Sequence, residues 1–162
     1  MTYYATRHAI QELPVYSDSA IGHARSNIIE AILESDKACA KQKVKHGKRI
    51  VTRGCSINQV NPNASIRMFG FRFRRQFTID PKVTLCINPV ILRTWGKRLS
   101  TEGCLSCPGK PYAVYRPRFA LVSYYDENIQ KHTKLLGPHN ANVFAHELDH
   151  LNGRMISDRK ES

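Results

Sequence analysis

The sequence predicts an α+β fold: antiparallel β-sheets packed around a C-terminal helix, with a long helix near the N-terminus. Three observations carry this. A helical apolar period runs through "SDSAIGHARSNIIEAILESDKACAKQKVKHG" (17–47). From about residue 50 it gives way to short alternating runs separated by turn residues. After the last of these, "GPHNANVFAHELDHLNG" (137–153) returns to a helical pattern with start and stop signals. At 162 residues with 41% hydrophobic content, the chain is expected to form one domain over 1–162 around one core.

The elements follow in order. Residues 1–18 read as an irregular lead-in broken by Pro14. Ser17 or Asp18 can cap the first helix, and Ile21, Ala24, Ile28, Ile32 and Cys39 fall near one face of it. Gly47 is the expected stop. Lys41, Lys43, Lys45, Lys48 and Arg49 gather at that end, where cations complement the helix dipole. "SIRMFGFRFR" (65–74) alternates, placing Phe69, Phe71 and Phe73 on one face and Arg72 and Arg74 on the other. "LCINPVILRTW" (85–95) and "RFALVSYYD" (118–126) read as strands, and Asp126-Glu127-Asn128 suits a turn. Pro138 fits the first turn of the last helix and Gly153 its end.

The charge is strongly basic, with 25 Lys+Arg against 13 Asp+Glu. That favours an anionic neighbour or simple solubility and says nothing about fold. The five cysteines, Cys39, Cys55, Cys86, Cys104 and Cys107, do not form the even, dense pattern of a secreted disulfide scaffold. No apolar run reaches 18 residues, and the N-terminus lacks an apolar signal core. A cytoplasmic protein without membrane contact is expected.

The chemistry is concentrated in "HELDH" (146–150). Residues four apart share a helix face, so His146 and His150 can reach one metal ion. Glu147, next to the first ligand, is placed to act as general base toward a water in the open position. A catalytic site of this kind needs a third protein ligand. The H-E-x-x-H-x-x-G-x-x-H continuation fails, because Ile156 stands at its last position, and only twelve residues follow His150. The third ligand is therefore expected upstream, in "STEGCLSCPG" (100–109), where the Cys104 thiolate suits Zn(II) or Fe(II). A rival reading adds Cys107 and makes a closed structural Cys₂His₂ zinc site. It leaves Glu147 without a purpose. A second rival is RNA binding: "RMFGFRF" (67–73) partly imitates the RNP1 pattern through Arg67, Phe69, Gly70 and Phe71, while Met68, Arg72 and Arg74 break it.

"EGCLS" (102–106) and "HELDH" (146–150), in that order, resemble the second and third motifs of the peptide deformylase family, and "CPG", "VYRP", "LNG" and "DR" after them also fit. The first motif, G-x-G-x-x-x-x-Q, is similar to "TRGCSINQ" (52–59), with Gly54 and Gln59 in place and Thr52 where the first Gly would stand. Arg53 falls where the family usually has an aliphatic residue near the methionine pocket. The resemblance implies an enzyme that removes the N-formyl group from the initiator methionine of nascent polypeptides. It implies one divalent ion on Cys104, His146 and His150, with Fe(II) expected and Zn(II), Ni(II) or Co(II) also able to occupy the site. Glu147 would be base and then acid, Gln59 and the Leu105 N–H an oxyanion hole, and Gly54, Glu102 and Gly103 the lining of the substrate cleft. Asp149 would pair with Arg116 outside the metal shell. Longer family members dock on the ribosome through a C-terminal helix with no counterpart here. The expectation is instead a weak attraction of ribosomal RNA to the basic run 41–53 with Arg72, Arg74 and Arg75. A divergent, phage-encoded monomer acting in a bacterial cytoplasm fits these features.

Overall fold

The computed structural model describes residues 3–4, 9–10, 16–41, 51–75 and 78–159. Expectations for Pro14, for Gly47 and the basic residues of 42–50, and for the last three residues lie outside these.

Helix α1, Asp18–Lys41, begins where the Ser17 hydroxyl accepts the Ala20 N–H at 3.2 Å, the expected N-cap. Its stripe of Ile21, Ala24, Ile28 and Ile32 is buried. Strand β1 (Gly54–Ser56) then runs into a single helical turn, α2 (Ile57–Val60). Strand β2 spans Met68–Phe71, and a two-stranded ribbon, β3 (Arg74–Arg75) with β4 (Thr78–Ile79), follows. Strands β5 (Thr84–Cys104), β6 (Cys107–Tyr125) and β7 (Lys131–Leu136) lead to helix α3 (Pro138–Leu151) and a 3₁₀ turn at Ile156–Asp158. The main sheet has the order β1-β2-β5-β6-β7 and is antiparallel at each pairing, as the α+β reading predicts.

Two elements differ from the sequence reading. The strands expected over 85–95 and 118–126 are parts of one long hairpin, paired from Ile87↔Tyr125 to Cys104↔Cys107. Its outer half leaves Leu92, Trp95, Leu99, Tyr115 and Phe119 exposed, so neither face carries the buried alternation that marks a strand in sequence. Gly96 passes through it at φ +62°. The second difference is β2. All four of its residues are buried, because helices cover both faces. Phe69 and Phe71 pack edge-on against Phe144 of α3, at 5.0 and 6.0 Å between ring centroids. Gly70, on the opposite face, lies against Ile28 of α1. Arg72 is consequently not on a solvated face: it is 5% exposed and its guanidinium is paired with Asp36 of α1. The resemblance to RNP1 fails for the same reason, since Phe69 and Phe71 have no surface on which a base could stack.

Helix α3 is the centre of the molecule. Gly137 precedes it and Pro138 opens it, as expected. Gly153, at φ +69°, closes it: its N–H reaches the His150 carbonyl at 2.9 Å and Arg154 N–H reaches Asp149 at 2.8 Å, a Schellman ending. The Asp126 side chain stabilises the β6–β7 turn by accepting the N–H groups of Asn128 and Gln130.

A methyl group at Gly70 would stand 2.6 Å from Ile28 Cγ2 and 2.8 Å from Val83 Cγ1. Gly70→Ala is expected to destabilise the fold by roughly 1–3 kcal/mol through overpacking, read as a lower urea midpoint at unchanged slope. An unshifted midpoint would show that α1 is not pressed against β2 as described.

Candidate metal centre

Helix α3 buries polar side chains that a surface helix would expose. His146, Glu147, Asp149 and His150 are all under 10% exposed. Buried polar groups need partners, and these come from three other segments.

Cys104 ends β5, and the hairpin turn Leu105-Ser106 brings Cys107 into register opposite it. The Cys104 Sγ lies 3.2 Å from His150 Nε2, and the two histidine Nε2 atoms are 3.2 Å apart. All three ligand atoms fall within 4.8 Å of one another. Bonds of about 2.0–2.3 Å at tetrahedral angles separate neighbouring ligand atoms by roughly 3.3–3.6 Å, so the donor set and its spacing fit a divalent transition metal. Among the described residues Cys107 does not join this group. It packs instead beside Cys104, Val114 and Ile156. The Cys-x-x-Cys spacing thus reflects a two-residue hairpin turn, and the four-ligand structural site is not formed.

Glu102 does more than line the cleft. Its Oε2 sits 3.0 Å from His146 Nδ1, which leaves Nε2 free to face the ligand cluster. The Arg116 guanidinium grips the same carboxylate, with Nη2 at 2.8 Å, and also holds Asp149. Asp149 takes Arg159 as well. Arg116, 2% exposed, therefore joins Glu102 of β5 to Asp149 of α3. Burial opposes ionisation of Glu102, but His146 and Arg116 outweigh it and hold the pKa near about 2. Burial lowers His146, yet the Cys104 sulfur and Glu102 carry it up to about 10. His150 is pushed down to about 3 by burial and by its neighbour His146.

The third contributing segment is β1–α2. Gln59 is the third residue of α2, and its Oε1 accepts the Ser56 N–H at 2.9 Å. That half of a capping box turns the amide NH₂ inward, 3.2 Å from His150 Nε2 and 3.8 Å from Cys104 Sγ. The Ser56 hydroxyl also lies 2.8 Å from both the backbone oxygen and Oε2 of Glu147. Asn58 donates to the His150 carbonyl. Ser56 and Asn58 were not among the residues expected at the site, although the Ser56-x-x-Gln59 spacing is a readable cap signal. Burial raises the Glu147 pKa, partly offset by His146 and the Ser56 hydroxyl.

Gly54 is fixed by space. A Cβ there would stand 2.5 Å from Glu147 Oε1. Thr52 needs no such freedom. Among the described residues the non-glycine positions at positive φ are Asn88 and Ile129, and Thr52 is tied to α1 by hydrogen bonds to Asp36 and Ser35 at 2.8 and 2.7 Å. A cleft of about 850 Å³ opens onto the cluster, lined among others by Gly54, Gln59, Glu102, Gly103, Leu105 and Glu147. The sequence-predicted residues thus converge on one place.

Fold and site together define a Cys/His/His group that could hold a metal ion, two of its members on an H-E-x-x-H helix. The chain belongs to the polypeptide deformylase family, whose model matches residues 10–162. A peptide deformylase of Chlorobium luteolum is 47% identical over 82 residues, which are 51% of this chain and 43% of that protein. The chain thus spans less than half the length of the curated relatives it matches most strongly. A solved Plasmodium falciparum peptide deformylase superposes with a TM-score of 0.77 at 27% identity, covering 100% of this chain and 86% of the other. A probable peptide deformylase from synechococcus phage S-SSM7 shares the fold with a TM-score of 0.76 at 23% identity, over 96% of this chain and 93% of its own.

Metal content measured after dialysis tests the ligand assignment. Cys104→Ala is expected to lose the ion and Cys107→Ala to retain it at parental stoichiometry. Equal loss in both variants would restore the four-ligand reading.

Proposed function

We propose that the chain, as one catalytic domain over 1–162, is a metal-dependent hydrolase that removes the N-formyl group from the initiator methionine of nascent polypeptides. One observation carries this reading. Beside the Cys104/His146/His150 cluster, a buried carboxylate and an inward-turned amide face the same spot at the floor of an open cleft.

A divalent ion on those three residues, Fe(II) expected and Zn(II), Ni(II) or Co(II) also suited to the donor set, would acidify a water and polarise the formyl oxygen. Glu147 takes the proton from the attacking water as its oxygen bonds to the formyl carbon. The charge that grows on the formyl oxygen is held by the Gln59 Nε2–H and the Leu105 N–H. Glu147 then delivers the proton to the departing amine nitrogen as the C–N bond breaks, releasing formate and a free amino terminus. The burial that raises the Glu147 pKa suits a group that must both accept and return a proton. Glu102 and Arg116 act one layer out, fixing the His146 ring.

The reading of a weak contact with ribosomal RNA rests on the net charge of +12; Arg75 stays largely exposed although it pairs with Asp80 at 3.3 Å. Arg72 drops out of that surface, because Asp36 neutralises it.

Two variants test the mechanism with a formyl-Met-Ala-Ser peptide and anaerobically loaded protein. Glu147→Gln should keep the ion and lower kcat by roughly 10²–10⁴-fold, the range for a lost general base. An active Glu147→Gln protein would sink this assignment. Gly54→Ala should keep the ion and lose on the order of 100-fold, since its methyl group displaces the Glu147 carboxylate. Parental activity in Gly54→Ala would mean that the carboxylate does not need its described position.

A further inference from the structure

The cleft has one wall whose chemistry the deformylation step does not use. On α3, His139, Asn142, Val143 and His146 follow the i, i+3, i+4, i+7 spacing of one helix face, and all four line the cleft. On β5, burial alternates, with Arg98, Ser100, Glu102 and Cys104 on the inner face. Arg53, just before Gly54, completes the wall. The metal-proximal ends of these segments are His146, Cys104 and Gly54. The outer ends are Arg53, Arg98, Ser100, His139 and Asn142; along α3, Asn142 and His139 lie about one and about two helical turns from His146. For a wall that adjoins a methionine-accepting site, this is polar and cationic.

Three details turn that polarity toward a ligand. First, the cations are unneutralised. Arg53 gives its Nε to the Arg72 carbonyl at 3.1 Å and one Nη2 hydrogen to Asn140 Oδ1 at 2.9 Å, neither of them charged. The rest of its five N–H donors are unengaged among the described residues. Arg98 has no ion pair among the described residues. Second, the carboxylates that line the cleft are committed elsewhere, Glu102 to Arg116 and His146, and Glu147 to Ser56. Third, Asn142, 7% exposed, donates to Ser100 Oγ, which joins the polar side chains of α3 and β5 at the cleft wall. The proximity of the cations is visible in their mutual effect. After burial, Arg74, Arg98 and Arg53 lower the His139 pKa, and Arg74 adds to burial in lowering that of Arg53.

Resting on the deformylase reading, we propose that Arg53 and Arg98, with His139, form a carboxylate-binding subsite in the cleft, so that the preferred formyl peptides carry an acidic group near the formylated end. A guanidinium fork suits a carboxylate and gives nothing to a thioether. The half-buried position of Arg53 makes such a contact stronger than one made in bulk water. The apolar lining at Leu105 and Pro108, across the cleft, remains available to an uncharged side chain.

The test compares C-terminally amidated formyl tripeptides: Met-Ala-Ser, Met-Asp-Ser, Met-Asn-Ser, Glu-Ala-Ser and Gln-Ala-Ser, with Met-Ala-Ser bearing a free carboxylate as a further arm. Two readouts are taken, kcat/KM on the metal-loaded protein and Kd by calorimetry on the metal-free protein, where no turnover competes. An acidic peptide should outperform its amide isostere by roughly tenfold or more at low salt, with the ratio shrinking as salt rises. The ratio should fall to about one in Arg53→Gln and in Arg98→Gln; Arg98, partnerless and half-exposed, keeps that variant folded even if Arg53→Gln unfolds. A ratio near one for every acid–amide pair in both readouts overturns the proposal. So does a ratio that survives in both folded variants, which assigns it to diffuse charge. A preference confined to the free C-terminal carboxylate supports the subsite and identifies the chain end as what it reads. Turnover without preference removes the subsite and leaves the deformylase reading standing. Preference in binding without turnover of any peptide does the reverse.

Discussion

The structure turns on the cost of burying a charged helix. Helix α3 carries two histidines, a glutamate and an aspartate into the interior, where each would be strongly destabilising without a partner. Arg116 answers the larger part of that cost. Itself 2% exposed, it binds Glu102 and Asp149 together, and through Glu102 it sets which nitrogen of His146 faces the cluster. Removing either end of this chain of contacts leaves an unpaired charge in the core, which is worse than replacing the whole network with apolar groups. A buried network of this sort is costly to keep, and its presence is accounted for by the geometry it imposes on His146.

The remaining architecture supplies the other partners at fixed positions. The capped turn α2 turns Gln59 inward and frees the Ser56 hydroxyl for Glu147. The β5–β6 hairpin turns sharply after Cys104, so the thiol is presented at a strand end held by backbone pairing on one side. Phe69, Phe71 and Phe144 lock α3 onto β2 just behind the site. Helices and strands thus hold Gln59, Cys104, His146, Glu147 and His150, while Leu105 sits in the tight β5–β6 turn.

The outer cleft departs from this economy. Among the described residues, Arg53 and Arg98 line it without an ion pair of their own. The departure coincides with the changed first motif. Thr52 is absorbed by hydrogen bonds to α1, whereas Arg53 lines the cleft with its guanidinium bonded to the Arg72 carbonyl and Asn140 Oδ1. Divergence in this short stretch leaves Gly54 and Gln59 in position beside Glu147 and the Cys104/His146/His150 group.

The sequence by itself determined the fold class, the first turn and stop of α3, and the three residues of the possible metal group. Those signals are local: helical spacing put His146 and His150 on one face, and two short motifs marked Cys104 and Gln59. Only the tertiary structure decided the rest. Arg72 reads as a solvated strand residue until α1 is laid across β2 and Asp36 reaches it. Cys107 stands as a rival fourth ligand until the hairpin turn shows why two cysteines stand three apart. Glu102 reads as cleft lining until His146, forty-four positions away, meets its carboxylate. The need for glycine at 54 appears only once Glu147 is seen to occupy the space a side chain would take. Each depends on a contact between segments far apart in the chain, and no local period or propensity records such a contact.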